Sequence, residues 1–160
     1  MMDYALDTNT LSQIYRFYYQ DRFPSFWDQF NALVRAGRAV SVSEVEAELS
    51  RRSGLNAAVT DLKRLNPNFF TLPSPEEQQF ISRIFAVRQF SGLISAKAMT
   101  KGTPVADPFI IAKVGAGSAL FVVTEEMFRP NAIRIPNVCA HFGIDCINLQ
   151  QLMEREGWRF

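Results

Sequence analysis

Short apolar runs alternate with amphipathic helical segments along the whole chain of 160 residues. The apolar runs at Tyr4–Leu6, 38–41, 120–123 and 146–148 have the length of strands. Between them, apolar residues recur every three or four positions, as they do on one face of a helix. This alternation is typical of a parallel sheet covered by helices on both faces. The predicted fold class is therefore α/β, a three-layer α/β/α sandwich with a central, mainly parallel sheet, in a single domain over residues 1–160.

The composition excludes several other classes of protein. Hydrophobic residues make up 48% of the chain and charged residues 21%, which is ordinary for a globular domain. No apolar run approaches the ~20 residues of a membrane-spanning helix, and the first residues lack the basic segment of a signal peptide. Cys139 and Cys146 are too few for a disulfide framework, so we expect a reduced, cytoplasmic protein. The only histidine, His141, is expected at the surface.

Polar residues predict where three of the helices begin. Ser25 is expected to cap the second helix, and Ser43 with Glu46 has the spacing of a capping box for the third. Asp107 before a proline predicts another helix start, because Asp is a favoured cap and Pro a favoured first residue. Residues 91–103 are rich in Ser, Gly, Lys and Thr and are predicted to form a mobile loop.

Seven acidic residues lie where the predicted sheet could bind a ligand, because ligands of parallel α/β sheets bind beyond the carboxyl ends of the strands. Asp7 follows the first strand, and the helix after the second strand carries Glu44, Glu46 and Glu48. Asp107 begins the later helix, and Glu125 and Glu126 follow the strand at 120–123. Carboxylates within ~5 Å of one another repel by roughly 3 kcal/mol per pair at an effective dielectric constant of 20. Neutralisation by a cation is the simplest reason to gather them, and ligands that are all oxygen suit Mg²⁺ or Mn²⁺.

Each acid taken alone has an ordinary structural explanation. Asp107 could cap its helix, Glu48 could pair with the basic residue four positions later, and Glu46 is assigned to the capping box. Glu125 and Glu126 could be loop acids. Asp7 is the hardest to explain in this way, because an acid directly after a buried strand needs a partner. The prediction of a site depends on the coincidence of these residues at one edge.

Four segments of the chain, in their order, resemble the PIN-domain ribonucleases, a family that includes the toxins of many prokaryotic toxin–antitoxin pairs. The segments are YALDTNTL at the start, VSVSEVEAEL after the second strand, ADPFIIAKV at the later helix and LFVVTEE at the next strand. Two further segments, FPSFW at 23–27 and IPNVCAHFGIDCINLQQL at 135–152, are similar to an uncharacterised prokaryotic PIN-like subfamily.

The resemblance implies a PIN-like fold and a metal-dependent endoribonuclease that hydrolyses RNA to a 5′-phosphate and a 3′-hydroxyl. It implies that the catalytic, metal-binding residues are Asp7, Glu48, Asp107 and Glu126, with Mg²⁺ or Mn²⁺ as cofactor. The supporting residues are then Asn9, Glu44, Thr124 and Glu125. Glu126 stands where the family usually has Asp, and a ligand displaced by about 1 Å can cost ~100-fold in rate.

The implied partners are an RNA substrate and a cognate antitoxin, with no membrane. A homodimer could form through the aromatic residues of the first two helices, which could equally belong to the core. When the four proposed ligands are left out of the count, the chain has 17 basic and 12 acidic groups. The basic groups that could surround phosphates are Arg16, Arg35, Arg38, Arg51, Arg52, Lys97, Lys101, Arg129 and Arg134. The alternative is a catalytically degenerate PIN-like module that binds RNA or protein without cleavage.

Overall fold

The computed structural model describes residues 2–91 and 106–160, in which strands and helices alternate as the sequence predicts. The described strands are β1 (Tyr4–Leu6), β2 (Ala39–Val42), β3 (Phe70–Thr71), β4 (Phe121–Val123) and β5 (Cys146–Ile147). The described α-helices are α1 (Thr8–Phe17), α2 (Pro24–Arg35), α3 (Ser43–Arg51), α4 (Asn56–Leu65), α5 (Pro75–Ala86), α6 (Asp107–Gly115), α7 (Ile135–Phe142) and α8 (Leu149–Glu156). A 3₁₀ turn follows α5 at Arg88–Phe90.

The five described strands form one parallel sheet in the order β3-β2-β1-β4-β5. The helices flank this sheet, which confirms the predicted three-layer α/β/α class. The order reverses between β1 and β4, because the chain first builds outward to β3 and then returns to the other side of β1. In α/β sheets such a reversal opens a crevice at the carboxyl ends of the two strands.

The buried apolar side chains form one continuous core that reaches both faces of the sheet. Phe26, Trp27 and Phe30 of α2 are buried in it, and the Phe26 and Phe30 rings stack with their centroids 5.9 Å apart. These three aromatic residues therefore belong to the core and not to a surface that could pair two subunits. In the part of the chain that the structure describes, no helix is long and apolar enough to span a membrane.

The capping predictions for α2 and α3 are wrong. Helix α2 begins two residues earlier than predicted, with Phe23 as its cap and Pro24 at the first position, where the missing N–H and fixed φ of proline are favourable. Strand β2 runs directly into α3, so its cap is Val42 and no side chain caps the helix. The Glu46 carboxylate instead accepts a hydrogen bond from Lys63 at 2.8 Å.

The structure also bears on the predicted helix start at Asp107 and on part of the predicted loop at 91–103. Asp107 does begin a helix, but it is the first helical residue, and the cap is the preceding Ala106. The predicted mobile loop at 91–103 lies outside the described residues from position 92 onward. Strand β3 was not expected, because two residues carry no detectable alternation of polar and apolar side chains.

A buried ion pair fixes α5 and α6 against the edge of the sheet. Lys113 Nζ lies 3.6 Å from Glu77 Oε1 and donates a hydrogen bond of 2.6 Å to the Thr71 hydroxyl. The Ser118 hydroxyl also donates to Glu77 Oε1, at 3.1 Å. Both charged side chains are buried, so each depends on the other for compensation. The pair thereby helps to hold the helix that begins at Asp107.

We predict that Gly115→Ala destabilises the protein by about 1–3 kcal/mol, the usual cost of overpacking a core. Gly115 lies against the Phe80 ring, and a Cβ atom at this position would overlap the ring atoms. The measurement is thermal or urea unfolding of the wild type, Gly115→Ala, Phe80→Leu and the double variant. The added methyl group should cost less in the Phe80→Leu background, and an equal cost in both backgrounds would show that the ring does not limit this contact.

Candidate active site

Asp7 lies at the reversal point of the sheet, directly after β1, and is only 4% exposed. Its backbone N–H donates to the carbonyl of Val123 at 2.9 Å, which continues the pairing of β1 with β4 beyond the last strand residue. The hydroxyl of Thr124, the first residue after β4, lies 3.1 Å from Asp7 Oδ2. The ends of the two central strands thus place Asp7 and Thr124 side by side.

Asn9 joins the same two strand ends. Its Oδ1 accepts the backbone N–H of Glu125 at 3.1 Å and lies 3.3 Å from the Thr124 hydroxyl. The Thr124 hydroxyl oxygen in turn accepts the N–H of Glu126 at 3.2 Å. The amide and the hydroxyl therefore fix the path of the loop that carries both glutamates.

Glu48 projects from α3 toward residues that neighbour Asp7 and Asp107 in the chain. Its Oε2 accepts a hydrogen bond of 2.5 Å from the Thr8 hydroxyl, and its Oε1 accepts the N–H of Ala106 at 3.2 Å. Thr8 was not predicted as a site residue. The available signal was its hydroxyl directly after the strand-terminal acid, because Thr8 begins α1 at the same edge of the sheet.

The environment of Asp7 strongly opposes its ionisation. Burial, then the negative charge of Asp107 and to a lesser degree that of Glu126, raise its pKa to about 8, against a usual value of 3.8. Hydrogen bonds from the Thr8 backbone N–H and the Thr124 hydroxyl oppose the shift only in part. Asp7, Asp107 and Glu126 are therefore close enough to act on one another electrostatically, and within residues 2–91 and 106–160 no basic side chain opposes the shift.

The carboxylates of Glu125 and Glu126 contact the N-termini of helices. Glu126 Oε2 accepts the N–H of Ile135, the first residue of α7, at 2.9 Å. Glu125 Oε1 accepts the N–H of Leu149, the first residue of α8, at 2.8 Å. Helix N-termini attract negative charge because their first N–H groups have no partner within the helix. Both glutamates therefore have a structural task at this edge.

Glu44 lies one turn before Glu48 on α3 but has different neighbours. Burial raises its pKa, and the charge of Glu77 adds to this, whereas its own backbone N–H and the Ser43 hydroxyl oppose the shift. The charged neighbour that acts on Glu44 is thus Glu77. A direct supporting role at the Asp7 carboxyl remains a prediction for Glu44.

The donor set at this edge fits a hard divalent cation in its chemistry. All the candidate ligands are oxygen atoms, and the raised pKa of Asp7 shows a local excess of negative charge. Among the described residues, however, no group of three His, Cys, Asp or Glu side chains is placed to hold one ion. Glu48 and Glu126 are turned toward backbone N–H groups, which explains why the carboxylates are neighbours without converging on one point.

The expected basic surround of the site is only partly present. Arg38 lies at the opposite end of the sheet, just before β2, where it pairs with Asp3 at 2.6 Å and with Glu156 at 2.7 Å. Its assignment to the phosphate surround is therefore wrong. Arg129 and Arg134 follow Glu126 closely, on the same side of the sheet as the acids. Lys97 and Lys101 lie outside the described residues.

We predict that Asp7→Asn makes the metal-free protein more stable at pH 8 and changes its stability little at pH 4. The folded-state pKa of Asp7, about 8, lies above the usual value of 3.8. Between these values the native protein binds more protons than the unfolded chain, so the wild type loses stability as pH rises. Asn has no proton to lose, and its melting temperature at pH 8 should be higher by several degrees, corresponding to roughly 1–3 kcal/mol.

The measurement is a series of melting curves in EDTA from pH 4 to pH 8. Asp28→Asn, an exposed substitution on α2, is the matched control and should follow the wild-type profile. If Asp7→Asn and the wild type have parallel profiles, the Asp7 carboxyl is already ionised at neutral pH and the argument for an uncompensated site fails.

The comparisons with known proteins give a family but no activity. The search of curated proteins found no match. A family model described as a domain of unknown function (DUF4411) matches residues 4–160. Because this match covers nearly the whole chain, the protein belongs to the DUF4411 family.

Proposed function

We propose that the protein is a PIN-like, metal-dependent endoribonuclease that hydrolyses RNA phosphodiester bonds with Mg²⁺ or Mn²⁺ at Asp7, Glu48, Asp107 and Glu126. The observation that carries this proposal is the burial of Asp7 beside two further carboxylates, with its pKa raised to about 8. Burying Asp7 beside other carboxylates costs free energy when no cation is bound, whereas a divalent cation held by these oxygens would offset that cost. The proposed role is that of a toxin in a toxin–antitoxin pair, acting in the cytoplasm.

The residues divide into ligands and residues that orient them. Asp7 and Asp107 would hold the ion directly, with Glu48 and Glu126 completing the set. When bound, the ion would lower the pKa of a water molecule and neutralise charge on the phosphate. The Thr124 hydroxyl, beside Asp7 Oδ2, restricts the orientation of that carboxyl. The Thr8 hydroxyl does the same for Glu48.

Glu126 is compatible with both of its tasks. A carboxylate has about four positions at which it can accept a hydrogen bond or bind a cation. Glu126 uses Oε2 to accept the Ile135 N–H, so Oε1 can serve as a ligand while the helix contact persists. The additional methylene of Glu, compared with Asp, gives the side chain the reach for this second contact.

The second candidate function is an RNA- or protein-binding module without nuclease activity. It is favoured by the hydrogen bonds that Glu48 and Glu126 make to backbone N–H groups, which satisfy these carboxylates without an ion. In that case Glu48 and Glu126 would be structural acids, and the raised pKa of Asp7 would follow chiefly from its burial at the end of β1. Metal dependence of RNA cleavage distinguishes the two functions.

We predict that the purified protein cleaves structured RNA in the presence of Mn²⁺, that EDTA abolishes cleavage, and that Asp7→Asn lowers the rate by at least ~100-fold. The reason is that Asn keeps the shape of Asp7 but removes the charge that would hold the ion. The exposed substitution Asp28→Asn serves as the matched control and should cleave at the wild-type rate. RNA that is bound but intact would support the binding module, and cleavage by Asp7→Asn within tenfold of the wild type would place the nuclease site elsewhere.

We predict that Glu48→Gln reduces cleavage much more than Glu44→Gln, although both residues lie one turn apart on α3. Glu48 is anchored between Thr8 and Ala106 at the edge that carries Asp7 and Asp107, whereas Glu44 lies beside Glu77. The two variants are compared under saturating Mn²⁺, with melting curves as a check of folding. An inactive Glu44→Gln beside an active Glu48→Gln would show that the ligand on α3 has been misassigned by one turn.

A further inference from the structure

A cavity of about 500 Å³ lies along α7. We name it the α7 cavity; its lining includes Gln89, Phe90, Phe128, Asn131, Asn137 and His141. The first residue of α7, Ile135, holds the Glu126 carboxylate, and Asn137 and His141 follow on the same helix. One short helix therefore contacts a candidate catalytic residue at its start and forms a wall of the cavity along its length.

The lining combines aromatic surface with polar edges. The Phe128 ring is 59% exposed, and the buried Phe90 also lines the cavity. The exposed side chains of Gln89, Asn131 and His141 add hydrogen-bond donors and acceptors. A volume within the range of small-molecule sites, with a few polar groups that can fix orientation, is typical of a binding pocket and not of a packing defect.

The walls of the cavity are held in place by contacts of their own. Asn137 donates from Nδ2 to the carbonyl of Arg129 at 2.6 Å and accepts the N–H of Arg129 at 3.4 Å. Asn131 has a φ of 62°, the only positive φ of a non-glycine residue in the described part of the chain. The rings of Phe90 and His141 meet edge to face, with centroids 5.3 Å apart. Because these side chains and the loop are already held in place, a ligand would bind with little loss of conformational entropy in the protein.

We propose that the α7 cavity binds one unpaired nucleobase of the RNA, adjacent to the phosphodiester bond that is cleaved. This inference rests on the proposed function. The exposed Phe128 ring offers a face on which a base can stack, and Gln89, Asn131 and His141 can bind the polar edge of that base. Arg129, exposed and next to Phe128 in the chain, supplies positive charge for the attached phosphate. The substrate class is therefore single-stranded RNA or an RNA loop, not a regular duplex.

His141 provides a direct probe of the cavity, since it is the single histidine of the chain. Its Hε1 resonance in proton NMR is followed while AMP, GMP, CMP or UMP is added in EDTA, with inorganic phosphate as the control for charge. We expect at least one nucleotide to shift this resonance in a saturable way and phosphate to leave it unchanged. The experiment needs neither metal nor cleavage.

Phe128→Ala and Phe128→Leu remove the aromatic face, and Leu keeps part of its apolar volume. We expect both variants to bind the nucleotide roughly 10- to 100-fold more weakly. Phe17→Ala is the matched control, because Phe17 is 63% exposed but does not line the cavity, and it should bind like the wild type. Melting curves show whether each variant is folded.

Three results would overturn the base-binding subsite: no nucleotide shifts the His141 resonance, phosphate alone reproduces the shift, or Phe128→Ala and Phe128→Leu bind as tightly as the wild type. Each of these leaves the nuclease proposal standing if Mn²⁺-dependent cleavage is observed. Conversely, the protein could bind nucleotides through Phe128 and yet fail to cleave RNA. That result would support the base-binding subsite and would favour the RNA-binding module over the nuclease.

Discussion

The pairing of β1 with β4 is the contact on which the rest of this edge depends. The chain reaches β4 only after it has built β2 and β3 on the other side of β1, so the two central strands come from distant parts of the sequence. The hydrogen bond from Asp7 N–H to the Val123 carbonyl extends this pairing beyond the strands. It fixes Asp7 beside Thr124, and through the following loop it sets where Glu125 and Glu126 can reach.

Burial of an acid at this junction carries an energetic cost that its contacts with the described residues only partly offset. The Thr124 hydroxyl and the Thr8 N–H stabilise the Asp7 carboxylate, but Asp107 and Glu126 act against it. The buried Glu77 carboxylate, in contrast, has Lys113 Nζ 3.6 Å away. No basic side chain in the described part of the chain acts in this way on Asp7, and this contrast is the physical argument for the proposed cation.

Much of the fold could be predicted from the sequence because its signals are local. The β1 run, Tyr4–Leu6, was predicted with the bounds that the structure shows. Strand β3 could not be predicted, because two residues acquire strand geometry only by pairing with β2. The capping box at Ser43 failed for a similar reason, since β2 continues into α3 without the turn that a cap requires.

The site shows the same division between local and long-range information. The acids after the strands predicted that Asp7 lies at this edge, and the resemblance implied Asn9 and Thr124 as supporting residues. The structure brings these three residues together. The sequence could not show that Glu125 and Glu126 accept hydrogen bonds from the first residues of α7 and α8, because these contacts span gaps of 24 and 9 residues in the chain. Spacing after a strand identifies a carboxylate at an edge but not the direction in which it points.

Helix α7 links the two halves of the proposed substrate site. Its first N–H orients Glu126, and two residues later Asn137 fixes the loop at Arg129 on which Phe128 stands. The Glu126 carboxylate and the α7 cavity therefore both contact the same helix. A base held against Phe128 would lie near Glu126, which is two residues earlier in the chain. The longer side chain of Glu126, compared with Asp, contributes to this arrangement. The contact of its carboxylate with the Ile135 N–H connects the proposed ligand to the helix that forms the wall of the cavity.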